Sequence, residues 1–182
     1  LIDVTLTRSE ARGKPLESAP HAGFERLTAN RTLVLVDVGA PPPPGYDFSA
    51  HAGPLSFEMS SGKERLVVNC GAHRGDSADW HMAQRTTAAH STITIEDQNA
   101  AEIFPGGGIG NQIRKILVER READGNIWID SSHDGYSRSA GILHQRRLYL
   151  SANGGDLRGE DSLTGDGSRK FVARFHLHPA GR

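Results

Sequence analysis

Short apolar runs, each cut off within a few residues by glycine, proline, asparagine or aspartate, constrain this chain more than any other feature: they fit strands and leave little room for amphipathic helices. Residues 32–38 (TLVLVDV) form a continuous run that must leave its sheet at the tetraproline 41–44, because proline cannot donate to a ladder. Residues 55–59 and 66–70, joined through Ser60-Ser61-Gly62-Lys63, read as a hairpin, and residues 116–122 and 126–130 flank a second hairpin signal, Ala123-Asp124-Gly125. In residues 91–96 (STITIE), Ile93 and Ile95 alternate with Thr92 and Thr94, which predicts a half-buried strand. Residues 142–151 and 171–178 bring the total to roughly eight strands. In the last of these, Phe171, Ala173, Phe175 and Leu177 are expected on one face, and Arg174, His176 and His178 on the other. The predicted fold is all-β, an antiparallel β-sandwich of layered sheets with long loops over 72–88, 99–111 and 153–169.

At 182 residues a single domain over 1–182 is expected. Lys plus Arg is 21 and Asp plus Glu is 22, a net charge of -1. That balance lacks the basic footprint of nucleic-acid binding. No apolar run is long enough for a transmembrane segment. The chain opens LIDVTLTRSE, without Met and without the basic start and apolar block of a signal peptide, so a piece of a longer protein is expected. Cys70 is the only cysteine, which excludes an internal disulfide and a Cys-rich zinc cluster, and its apolar flank predicts a small buried hydrophobe.

The nine histidines carry most of the chemistry, because imidazole both ligates metals and moves protons near neutrality. His176 and His178 lie two apart on one strand and read as a solvated face or as two ligands of a metal. His133 and Tyr136, like His144, Arg146 and Arg147, stand near strand edges and read as a solvated polar face or as groups that would meet an acidic sugar. His51 and His90 are candidate partners in a metal pair. The run Pro105-Gly106-Gly107-Gly108-Ile109-Gly110 leads into a strand rather than a helix, so it offers no helix N-terminus to a phosphate. No Gly-x-Ser-x-Gly elbow is present.

Several ordered motifs together resemble the C-terminal β-sheet domain of heparinase II/III-like proteins: residues 51–58, the run 90–98 (HSTITIEDQ), Ser132-His133-Asp134-Gly135-Tyr136, and 144–150 (HQRRLYL). The resemblance covers roughly residues 34–179. It implies a β-sandwich that packs beside an N-terminal helical toroid, which this fragment lacks, with acidic polysaccharide bound between the two. It also implies a reaction, β-elimination: a base removes the proton beside a uronate carboxylate, that carboxylate is neutralised, and an acid protonates the departing oxygen. Periplasmic or cell-envelope location is implied as well.

Matched residue by residue, the motif carries substitutions. His51 stands at a histidine that ligates metal in metal-bearing members, and His90 matches a second. Ser49 stands where the family has its catalytic histidine, Gly53 where it has an aspartate, and Asn69 at a later aspartate. The expectations are therefore no assigned catalytic residue, a weak zinc site at His51 and His90 with Asn69 in place of a carboxylate, and substrate contacts from His144, Arg146, Tyr136 and His133. The competing expectation is a catalytically silent carbohydrate-binding or structural domain of the cell envelope on the same scaffold.

Overall fold

The structure is a computed structural model and describes residues 15–110 and 112–180. The opening LIDVTLTRSE, Asn111 at the end of the second expected loop, and residues 181–182 lie outside the described residues. In chain order the elements are β1 (Ser18–Ala19), β2 (Phe24–Ala29), β3 (Thr32–Asp37), β4 (Phe57–Ser61), β5 (Glu64–Val68), α1 (Ala78–Arg85), β6 (Ile93–Ile95), β7 (Ile116–Ala123), β8 (Asn126–His133), β9 (Ile142–Leu150), β10 (Leu157–Gly165), β11 (Phe171–Ala173) and β12 (His176–Leu177). A six-stranded sheet runs β1-β2-β3-β4-β5-β12, a four-stranded sheet runs β10-β9-β8-β7, and β11 pairs with β6. Every pairing is antiparallel.

Two-residue turns set the registers. At the β7–β8 hairpin Asp124 and Gly125 both take positive φ, 52° and 76°, as a turn matching the strand twist requires. Asn30, at φ 50°, opens the corresponding turn between β2 and β3. Two apolar cores result. In one, Leu27, Val34, Val36 and Phe57 of the six-stranded sheet meet Ile127, Ile129, Leu148 and Leu150 of the four-stranded sheet. The other gathers Ala52, Ile93, Ile95, Ile109, Ile113, Tyr136 and Ile142. The inward face of β9 reads Ile142, His144, Arg146, Leu148, Leu150, so a polar layer of His144 and Arg146 lies between the residues it gives to the two cores.

Four expectations about the elements are corrected. The 55–59 strand starts only at Phe57, because Leu55 turns left-handed at φ 57° and gives its carbonyl to Arg146. The run 91–95 is buried throughout: β11 pairs along β6, Thr92 donates to Pro54 O, and Tyr136 donates to Ile93 O. Residues 171–178 split between two sheets, leaving Phe171, Phe175 and Leu177 exposed rather than in the core. The loops 72–88 and 153–169 contain α1, capped by the Ser77 hydroxyl accepting from Trp80 N–H, and the nine-residue β10, which β9 pairs along its whole length. The strand β2 escaped notice because a charged residue, Glu25, takes a buried place beside Leu27 and Ala29, where Arg120 and Ser18 satisfy it.

Candidate functional site

His51 follows the exposed proline-rich stretch, on the loop that reaches β4, and His90 closes the short turn after α1. The two rings meet edge to face, with His51 Nδ1 and His90 Nε2 3.1 Å apart. His90 Nδ1 lies 2.7 Å from Thr86 O and so carries the proton it donates there. Burial pushes the His90 pKa down to about 4, so the ring is neutral at pH 7 and its Nε2 lone pair accepts from His51 Nδ1–H. The remaining nitrogen of His51 is left as an acceptor. His51 and Asp37 line one cavity of about 280 Å3, and burial raises the Asp37 carboxyl to about 6 against the Gly39 N–H that it accepts.

The substituted positions fit this arrangement. A Cβ added at Gly53 would come within 2.6 Å of the His90 ring, so the ring occupies space that an aspartate at 53 would need. Gly53→Ala is accordingly expected to cost about 1–3 kcal/mol through overpacking, read as a lowered unfolding midpoint with unchanged secondary structure. Asn69 is committed elsewhere: its Oδ1 accepts Ser91 N–H at 2.8 Å, and its amide lies 3.4 Å from the Ser56 hydroxyl. Ser49 is exposed on the preceding loop. The donor set for zinc is two imidazoles that bond to each other and no carboxylate, and among the described residues no three His, Cys, Asp or Glu side chains come together to hold a metal ion. These residues do not fit a zinc centre.

The four residues expected to touch substrate are all buried, at 2% exposure or less. Arg146 makes a two-pronged contact with Asp161, Nε to Oδ1 and Nη2 to Oδ2, both 2.8 Å, and its Nη1 donates to Leu55 O and Ser91 O, both 2.8 Å. Gly135 N–H donates to His133 Nδ1, which places the His133 proton on Nε2, facing His144 Nδ1 at 3.1 Å. His144 Nε2–H then donates to Asp161 Oδ1 at 2.8 Å. Burial, added to by the neighbouring His144 and Arg146, lowers the His133 pKa to about 3. Burial also lowers His144, against the opposing pull of Asp161. At Asp161 burial alone would raise the pKa, but hydrogen bonds from His144 and Arg146 hold it at about 2. Tyr136 donates to Ile93 O, and burial raises its pKa. In this structure the polar atoms of His133, Tyr136, His144 and Arg146, the residues expected to contact substrate, are bonded within the domain, and β9 turns Leu143, Gln145 and Arg147 outward.

Other sequence candidates also find internal partners. His176 lies 3.0 Å from Ala88 O through Nε2 and 3.8 Å from the Cys70 sulfur through Nδ1, while His178 Nδ1 accepts Ala180 N–H. Cys70 is exposed rather than buried, and burial of its immediate surroundings still raises the thiol pKa. The glycine-rich run is clamped by Arg85, which donates to Phe104 O and Gly108 O, and by Asp47, which accepts Ile109 N–H. The sequence reading passed over Asp37 and Gln145 as site candidates; the signal for Asp37 was a lone carboxylate closing an apolar strand.

Comparison with known proteins places this geometry. A family model described as "Heparinase II/III-like, C-terminal" matches residues 11–182. FtsZ-localized protein C of Caulobacter vibrioides is 34% identical over 199 aligned positions, covering 100% of this chain but 34% of that protein. The heparan sulfate lyase HepC of Pedobacter heparinus superposes on 96% of this chain with a TM-score of 0.71 at 17% identity, and a heparinase III on 98% with 0.72 at 14%. At such identity these structures speak for the fold. The chain spans about a third of the length of that curated relative and 27% of each of these two solved chains. No helix among the described residues is long and apolar enough to cross a membrane. With the family model matched over residues 11–182 and the fold shared with its solved neighbours, this chain belongs to the heparinase II/III-like C-terminal domain family.

Proposed function

We propose that this domain is a catalytically silent wall of a glycan cleft in a larger cell-envelope protein, rather than half of a β-eliminating lyase. The observation that carries the reading is the packing of the His90 ring against Gly53, with His51 bonded to His90 and Asn69 bonded to Ser91. His51, His90 and Asn69 are hydrogen-bonded within the domain, and an exposed serine at position 49 cannot act as a base at neutral pH without an activating partner. Arg146 and His144, which would have neutralised a uronate, are held by Asp161. An N-terminal helical toroid supplies the opposite wall, and acidic polysaccharide is the ligand class that the scaffold suggests.

The full-length parent is expected to release no unsaturated uronate from heparan sulfate, alginate or related polymers, followed by ultraviolet absorbance, while retaining glycan in affinity electrophoresis. Product from any of these polymers, with Ser49→Ala reducing the rate, would overturn the silent reading.

A second reading has its own support. The relative at 34% identity is named for localisation with FtsZ, whereas the lyases stand at 17% and 14%. On this reading the parent works at the division site and the sandwich is an assembly module. A fluorescent fusion of the full-length parent that spreads evenly through dividing cells would remove it.

A further inference from the structure

The outward face of the four-stranded sheet has no role in the reading above, yet a cleft of about 500 Å3 lies over it. Strand register fixes what the cleft offers. One cross-strand row is Glu119, Asp130, Arg147 and Glu160. The next row, two residues along each strand, is Leu117, Ser132, Gln145 and Ser162.

The first row is already paired. Asp130 accepts from Arg121 and from Arg147, and Arg147 also faces Glu160 at 3.6 Å. Three carboxylates, Glu119, Asp130 and Glu160, against two guanidiniums, Arg121 and Arg147, leave this part of the face at a formal charge of 3 − 2 = 1 negative. A polyanion would be repelled there and would find both guanidiniums engaged.

The second row differs. Ser132, Gln145 and Ser162 line the cleft, and their side chains make no hydrogen bond to another described residue. A hydroxyl, a primary amide and a second hydroxyl thus stand on three adjacent strands about 4.8 Å apart, each able both to donate and to accept. At the β7 edge Leu117 and Val118 are 53% and 44% exposed and give the cleft an apolar border. Uncommitted neutral donors and acceptors, repeated across the strands and bordered by aliphatic surface, suit a ligand that carries many hydroxyls on an apolar ring.

We propose that this face binds an uncharged glycan chain bearing hydroxyl and acetamido groups, laid across β7 to β10 with Gln145 at its centre. The site does not use His51 or Ser49, and Arg146, which also lines the cleft, has its guanidinium engaged by Asp161, Leu55 and Ser91, so the proposal stands or falls independently of the silent-cleft reading. An oligomer of N-acetylglucosamine is the probe, and a heparan sulfate oligosaccharide is its anionic counterpart.

Isothermal titration of the full-length parent at low and high salt is expected to show binding of the neutral oligomer that does not depend on salt. Gln145→Ala, an exposed change, should weaken it about tenfold, and Gln145→Ala with Ser162→Ala further still, with the unfolding midpoint unmoved. Three results would each overturn the proposal: no binding of the neutral oligomer by the unaltered protein, equal binding by the variants, or a salt-sensitive preference for the heparan sulfate probe. A Gln145→Arg variant that lowers the melting temperature of the full-length parent, combined with absent oligomer binding, would assign the face to contact with the rest of the parent chain instead.

Discussion

Arg146→Ala is expected to lower the stability of the domain by about 3–5 kcal/mol, the usual cost of removing one partner from a buried ion pair. Its guanidinium holds both oxygens of Asp161 and also satisfies the carbonyls of Leu55 and Ser91. Removal leaves a half-buried carboxylate with only the His144 imidazole as partner, and two carbonyls without a donor. Leu55 adds to the effect, because its left-handed conformation is uncommon for a residue with a Cβ and is held in part by the bond its carbonyl receives. For a chain of this size such a loss corresponds to a melting temperature lower by roughly 6–20 °C. Replacing Asp161 together with Arg146 by apolar residues should recover part of the deficit, since the buried charges then disappear as a pair. Urea unfolding monitored by tryptophan fluorescence gives the comparison, and an unchanged midpoint for Arg146→Ala would mean that the guanidinium's bonds to Asp161, Leu55 and Ser91 do not stabilise the folded state.

Acid is expected to destabilise this domain progressively from about pH 6.5 downward. His90 and His133 have pKa values lowered to about 4 and about 3, and His51 and His144 are lowered in the same direction, all chiefly by burial. Below about pH 6.5 the unfolded chain takes up protons that the folded chain refuses, so stability falls as pH falls through this range. Asp37 works the other way: with its carboxyl raised to about 6 the folded state takes up a proton before the unfolded state does, which offsets one histidine between about pH 6 and 3.8. With Asp37 set against one of the two imidazoles of known value, a net loss of at least about 1.4 kcal/mol per pH unit remains between pH 6 and 4, more as His51 and His144 contribute. Below 3.8 Asp161, held at about 2, adds to the loss. Urea midpoints measured from pH 7.5 down to 4 should decline steadily; a flat profile would show that the buried histidines become charged in the folded state.

The candidate site was legible in part. The motif around His51 and His90 can be read from residue order alone, and these two rings do meet. The contacts expected of His133, Tyr136, His144 and Arg146 could not be checked without the fold, because alternation along β9 is ambiguous: HQRRLYL has polar residues on both faces, and only pairing with β8 and β10 shows which of them point inward. An arginine at a buried position reads as exposed until its partner, Asp161 on the unforeseen β10, is known. Cys70 misled for the opposite reason: an apolar flank suggests burial, yet β5 has ended at Val68 and the chain beyond it turns to the surface.

The sequence by itself determined that the chain is a layered antiparallel β-protein with Asp-Gly and Gly-Lys hairpins, since turn residues and β-branched runs act locally. Tertiary structure alone decided that Gly53 leaves room for the His90 ring, that β10 completes the second sheet from a run of glycine and charge, and that Gln145 rather than Arg146 faces solvent. Each of these depends on contacts between segments far apart in the chain, and burial of a polar side chain follows from the partner that satisfies it, which periodicity cannot supply.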